Sequence, residues 1–229
     1  MSRPIRDTSI DLSVVIRETA WRQIAQNGAA ALSLRAIARE LGITAPAIYN
    51  YFPRRDDLVT ALILDAFSAM GDAQSAALTG FQVGEHAARL KTLGIAYRDW
   101  AVAHPQRYRL IFGTPIPGYH APREVTMPVA ARSLSPLIGV LEAARQDGKL
   151  KAPQTNELGA SLLAQLDAWR MAVQGSDARV LYLALVIWSR VHGMVSLELD
   201  HQYPPYIESP ELIYTAQVVE LVDQFIVTN

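Results

Sequence analysis

Residues 34–53 read LRAIARELGITAPAIYNYFP. Ser33, just ahead of them, is a good N-cap and predicts a short helix running to Leu41. Gly42 ends that helix, because glycine reaches the positive φ that lets a chain reverse quickly. Thr44 can cap a second short helix, where Pro46 is tolerated because it falls in the first turn, and Pro53 interrupts the chain. Two short helices joined by Leu41-Gly42-Ile43 make a helix-turn-helix. Ala38 lies where the helices cross, so a larger side chain would push them apart. Ile37 and Ile48 can plug the small core between these helices and the one before.

That preceding helix carries Ile16, Ala20 and Ile24 on one face and stops at Asn27-Gly28. A fourth helix is predicted from about Arg55 to Met70, with Asp56 and Asp57 in the first turn, where acids suit the helix dipole. Residues 71–84 are small and weakly patterned and are expected to mark a domain boundary. This divides the chain into a flexible arm at 1–12, a helix-turn-helix domain at 13–70 and a larger domain at 71–229. The larger part reads as helices over 85–103, 106–112 and near 123–147, 155–173, 178–199 and 210–227. The Pro- and Gly-rich loop 113–122 separates the second of these from the third. Strand alternation is absent, so the expected class is all-α.

Composition narrows the function. The chain has 229 residues, half of them apolar and 19% charged, which excludes a disordered tail or a charged rod. Its 21 Lys and Arg nearly balance 22 Asp and Glu, so no global field draws it to a polyanion. Residues 1–60 nevertheless hold eight Arg against six acids, a net of +2. Cys is absent, excluding thiolate zinc sites and a Cys nucleophile. The opening residues lack a secretory h-region. The longest apolar run, Val180 to Trp188, is nine residues, against roughly 20 for a membrane helix. A soluble cytoplasmic protein with no membrane, cofactor or metal is therefore expected. Glu198, Asp200 and His201 read as a solvated cluster. His192 and Ser196 stand one helical turn apart but have no orienting acid, and Gly159-Ala-Ser161-Leu-Leu163 lacks the closing glycine of a nucleophile elbow. An enzyme is not expected.

Residues 14–62, through AWRQIAQNG and LSLRAIARELGITAPAIYNYFPRRDDLVTAL, resemble the DNA-binding domain of the TetR family of bacterial transcriptional regulators. Tyr49, Phe52, Arg55, Asp56 and Leu58 fall on that family's aromatic, basic, acidic and leucine positions. Trp188-Ser-Arg-Val-His192-Gly193, followed by Met-Val-Ser-Leu-Glu198, resembles the Trp-His-Gly signature of a C-terminal subgroup. The resemblance implies double-stranded DNA as partner, with the third helix in the major groove. Ala45, Pro46 and Asn50 would then face base edges: the first two touch thymine methyls and Asn50 pairs with adenine. Arg35 would reach a guanine or a phosphate. Ser33, Thr44, Tyr49, Tyr51 and Arg55 would contact phosphates, while Arg54 stays solvated. Arg3 and Arg6 are candidates for a minor-groove arm. The family role implied is a repressor on a palindromic operator, released by a small effector.

The last two long helices read as a dimer interface. Leu181, Leu185, Trp188, His192, Val195 and Leu199 are spaced 4, 3, 4, 3 and 4 apart. Ala184, Ile187, Val191 and Met194 form a second apolar stripe. Tyr214, Val218, Leu221 and Phe225, with Leu212, Val219, Val222 and Ile226, repeat the pattern. Helices apolar on two faces need two partners, and two such helices from each of two chains make a four-helix homodimer interface. Tyr97, Trp100, Tyr108, Phe112, Trp169 and Met171 suggest aromatic-lined space for a flat or greasy ligand, with few charges to anchor an anion.

Overall fold

The computed structural model describes residues 11–114, 116–172 and 175–228, so Arg3 and Arg6 of the expected arm lie outside the described residues. The protein is all-α, as its sequence pattern predicts. Two compact units emerge: the chain up to Ala66 with Gln106–Thr126, and Phe67–Pro105 with the residues from Met127 onward.

The first unit opens with α1 (Leu12–Asn27), capped by the Asp11 side chain, which accepts from the Ser13 amide at 2.9 Å. Gly28, at φ 77°, ends it by donating to the Ile24 carbonyl. After a 3-10 turn at Ala29–Ala31 comes α2 (Leu34–Glu40), whose cap Ser33 accepts from the Ala36 amide at 3.3 Å. Gly42 takes φ 65°, the reversal the motif requires. The short α3 (Ala45–Tyr49) follows. Ile16, Ile37 and Ile48 are wholly buried and Ala38 nearly so, which is the three-helix plug read from the sequence. Burying side chains of this size contributes about 1.5–3 kcal/mol each. Arg22 of α1 reaches Glu40 of α2 at 3.0 Å, clasping the two helices on the outside.

α4 (Arg55–Ala77) runs on seven residues past the expected stop. Of the stretch 71–84 read as a boundary, the part through Ala77 is helical, since its alanines are good helix formers and Gly71 is needed where the backbones come close. A Cβ at Gly71 would stand 3.2 Å from the Ser133 Cα. α4 thus begins in the first unit and ends in the second.

The second unit gathers α5 (His86–Ala103), α7 (Arg123–Ser133), α8 (Ser135–Gln146), α9 (Ala160–Ala172), α10 (Ala178–Leu199) and α11 (Pro210–Phe225). The first few residues of α7 belong to the other unit. The helix expected over 123–147 is broken at Leu134, where Pro136 in the first turn of α8 lacks an amide to continue the ladder. Leu90 and Leu93 of α5, Leu141 of α8, Leu183 and Ile187 of α10, and Tyr214 and Leu221 of α11 fill the core. Gly94 lets α5 and α11 approach: a Cβ there would meet Val218 at 3.0 Å, and the Tyr214 hydroxyl donates to the Gly94 carbonyl at 2.6 Å. The tail returns to pair Ile226 with Leu150 in an isolated antiparallel bridge that the sequence did not announce. α10 is long and apolar enough to cross a membrane by length and composition, but Val180, Leu181, Val191 and Val195 are buried in this core.

Candidate nucleic-acid interface and ligand cavity

α3 is held by one residue. Ile48 is wholly buried, while Thr44, Pro46, Tyr49, Asn50 and Tyr51 are exposed and Ala45 is half-buried. Thr44 occupies the N-cap position, its hydroxyl makes no capping bond, and its carbonyl accepts from the Ala47 amide at 3.0 Å. Tyr49, at 38% exposure, is not core packing. Arg35 is exposed and has no hydrogen-bonded or ion-paired partner among the described residues. Ser33 is half-buried with its hydroxyl committed to the α2 cap.

Arg55 has partners within the chain. Its guanidinium, read as a phosphate contact, turns onto the 3-10 turn before α2. Nε donates to the Leu32 carbonyl at 3.1 Å, and one terminal nitrogen donates to the Ala29 and Ala30 carbonyls at 3.0 and 3.1 Å. A planar fork meeting several carbonyls is a staple for the loop between α1 and α2. Arg54, expected to be solvated, forms an exposed pair with Asp57 at 2.6 Å. The same carboxylate accepts from the Arg54 amide at 3.0 Å, and the Arg54 bonds hold its pKa below the usual carboxylate value.

The sequence reading missed that 106–126 joins this unit. α6 (Pro105–Phe112) brings the Arg107 guanidinium over the Trp21 ring of α1, 5.1 Å from its centroid. The Tyr119 hydroxyl lies 2.9 Å from that of Thr60, and Arg17 pairs with Asp65 at 2.8 Å. The signal in the sequence was a pair of arginines, Arg107 and Arg109, in a short helix, and it carries no address.

The second unit encloses a narrow apolar cavity of about 30 Å³, little more than room for water. Among its walls are Met70 and Gln74 of α4, Leu93 and Tyr97 of α5, Leu137 of α8, and Trp188 and Val191 of α10. Among the described residues no charged one lines it. Of the five aromatics expected in a pocket only Tyr97 is here. Trp100 is buried against His104, rings 5.6 Å apart, and half-buried Trp169 sits elsewhere on α9. Tyr108 and Phe112 belong to the first unit, where they stack edge to face at 5.1 Å, and Met171 is 83% exposed. The helical period placed these aromatics on faces but could not say which faces meet. Trp188, expected at a dimer interface, lines the cavity instead and stacks on His192 at 4.9 Å. The Tyr97 hydroxyl lies 3.1 Å from His192 Nδ1, and burial lowers the imidazole pKa. Glu198 is engaged by Arg98 through two bonds of 2.8 and 2.6 Å.

The dimer stripe also needs correction. Leu181, Val195, Val218, Val222 and Phe225 are buried inside their own chain. The apolar side chains left exposed are Leu185 and Leu197 on α10 and Leu212, Ile213 and Val219 on α11. A helix with two apolar stripes shows which one is the core only once its neighbours are placed.

Comparison with known proteins agrees with an N-terminal helix-turn-helix followed by a helical domain. The family described as bacterial regulatory proteins, tetR family, matches residues 16–62, and the tetracyclin repressor-like C-terminal domain matches 90–221. The HTH-type transcriptional regulator Rv1816 of Mycobacterium tuberculosis is 34% identical over 223 residues, covering 95% of this chain and 93% of its own. The crystal structure of the protein SCO4313 is 36% identical and superposes with a TM-score of 0.76 over 96% of this chain and all of that one. A protein of unknown function from Rhodococcus sp. RHA1, 21% identical, shares the fold with a TM-score of 0.73 over 99% of this chain and all of that one. The chain therefore belongs to the TetR family of DNA-binding transcriptional regulators, with an N-terminal helix-turn-helix and a helical C-terminal domain.

Proposed function

We propose that the protein is a homodimeric repressor that leaves a palindromic operator when a small hydrophobic ligand enters its second unit. The observation that carries this reading is the exposure of α3. A five-residue helix anchored by Ile48 alone presents Thr44, Pro46, Tyr49 and Asn50 outward, the arrangement a major-groove helix needs. Asn50 reads a base, Ala45 and Pro46 touch thymine methyls, and Arg35 with Thr44, Tyr49 and Tyr51 grips the backbone. Ser33 adds its amide end once its cap is made.

A second copy covers Leu185, Leu197, Leu212, Ile213 and Val219, since an apolar face of this extent on two adjacent helices calls for a partner. The Trp188–His192–Gly193 stretch belongs to a subgroup signature in which the ring stack shapes one cavity wall. The protein acts in the bacterial cytoplasm.

The cavity suits release. At about 30 Å³ it is collapsed, so a ligand is taken only by a form in which its walls stand farther apart. α4 supplies Met70 and Gln74 to those walls and is continuous with the helix-turn-helix unit. A ligand that favours the expanded form and an operator that favours the collapsed one lower each other's affinity by the same factor.

Fragments of the source genome selected by the purified protein test this. The expected footprint has two half-sites about 34 Å apart, one turn of DNA. A footprint lacking two-fold symmetry, or no retained fragment, overturns it.

A further inference from the structure

Beside the apolar cavity lies a second, polar space in the same unit, an open groove of about 420 Å³. It is bordered by hydroxyls of Ser68, Ser75 and Ser135 and by the charges of Arg89, Arg132 and Asp72. Arg132 and Asp72 are both exposed and 3.6 Å apart, a loose pair in water. Two guanidinium groups against one carboxylate leave the groove at a net +1. The cavity, by contrast, is lined by no charged residue among those described.

The two spaces share Ser133, which lines both. The wall there is thin. Gly71 has no side chain, and its backbone lies against the Ser133 backbone. Gln74 completes the wall, its amide nitrogen donating to the Ser133 carbonyl at 3.2 Å and to the Met70 carbonyl at 3.3 Å. Ser133 is the last residue of α7, next to the break before α8, and α7 carries Pro128 within it. An amide missing from the ladder and a helix end at the wall make this the part of the cavity lining that yields most readily.

Resting on the reading above that the cavity takes a ligand, we propose that the ligand is a single-chain amphiphile with an anionic head. The apolar chain occupies the cavity, and the head sits in the groove between Arg89 and Arg132, with the Ser133 wall displaced between them. An uncharged greasy molecule would use the cavity and ignore the groove. A compact anion would gain nothing from walls such as Leu93, Leu137 and Val191. Only a molecule with both parts uses both spaces, and its charged head is met by charge-assisted hydrogen bonds.

Calorimetric titration of the full chain with decanoate and with 1-decanol tests the proposal. Decanoate is expected to bind more tightly than 1-decanol. The double variant Arg89→Gln, Arg132→Gln should weaken decanoate about tenfold, leaving 1-decanol unchanged. Asp72→Asn should tighten decanoate, a gain that a purely structural effect would not produce. Val191→Phe, which fills the cavity, should weaken both, with the helical circular dichroism retained. If decanoate is indifferent to the arginines and to Asp72, while 1-decanol binds and releases DNA, the head site is wrong and the cavity reading stands. If neither molecule binds, or if Val191→Phe leaves both affinities intact, the proposal falls together with that reading.

Discussion

α3 and α10 bury their side chains in opposite ways. α3 has five residues and one buried anchor, Ile48, whereas α10 has 22 residues and seven buried ones. The first is held in place by its neighbours; the second holds its neighbours in place. A helix that spends one side chain on the fold keeps the rest for a partner, and in the proposed function α3 offers its surface to DNA. α10 keeps outward only the stripe that includes Leu185 and Leu197. Binding faces in this protein are found where a helix is under-used by its own core.

The contrast breaks most visibly at Ile48. If α3 hangs on that side chain, Ile48→Ala costs about 2–5 kcal/mol, from lost burial and a cavity that the turn cannot close. Urea titration should show the loss, and DNA binding should vanish with it. A loss below about 1 kcal/mol would mean that the turn alone holds α3. Arg55 and Arg35 sharpen the same point. Arg55→Ala removes hydrogen bonds to three carbonyls and should cost about 1.5–3 kcal/mol, with the salt dependence of DNA affinity unchanged. Arg35→Ala should leave stability within about 0.5 kcal/mol and make the log-affinity against log-salt slope shallower by about 0.9 per phosphate contact. The reverse pattern would exchange their roles.

Within α3 itself the effects are smaller and more local. Asn50→Ala should lose about 1–3 kcal/mol at one base position, read by mobility shift over a set of substituted operators. Equal loss at every position would make Asn50 a positioning residue. On α10, Leu185→Glu should give monomers in sedimentation with the fold intact, because this side chain is already 37% exposed in one chain. The same change at buried Val222 would unfold the unit and so tell nothing about dimers. A Leu185→Glu variant that remains dimeric moves the interface elsewhere.

What could be read from the sequence follows the range of the forces involved. The Ser33 cap, the Gly42 reversal and the Ile37–Ile48 plug are set within a dozen residues, and the structure has all three. The exposed face of α3 was legible for the same reason. Arg55 was not, because its carbonyl partners lie 23 to 26 residues away and a guanidinium suits phosphate equally well. Likewise, nothing local tells that Arg107 will cover Trp21, or that Trp188 rather than Trp100 will line the cavity. Periodicity gives the faces of a helix; the assignment of each face to a neighbour is a tertiary fact. Gly71 is instructive, since it opens the stretch 71–84 expected to mark a boundary, and the fold uses it for close approach to Ser133.

The smallest expected effect lies at His192, on the half-buried side of α10. Its Nδ1 faces the Tyr97 hydroxyl at 3.1 Å and its ring stacks on Trp188, so the neutral imidazole is well accommodated. Burial places its folded pKa below the ordinary 6.5. Between the folded and the ordinary value the unfolded chain binds more protons than the native one, so stability rises with pH there. The contribution is complete above about 6.5 and is lost as pH falls through the folded pKa, with a slope bounded by one proton, about 1.4 kcal/mol per pH unit. His192→Gln keeps a hydrogen-bonding group for Tyr97 without titrating. Urea midpoints of the two proteins, followed from about pH 8 to about pH 5, should therefore converge as the pH drops, wild type losing the advantage it held at neutral pH. Parallel curves would show that His192 is as easily charged in the fold as out of it, and that the Tyr97–Trp188 corner of the cavity is open to water.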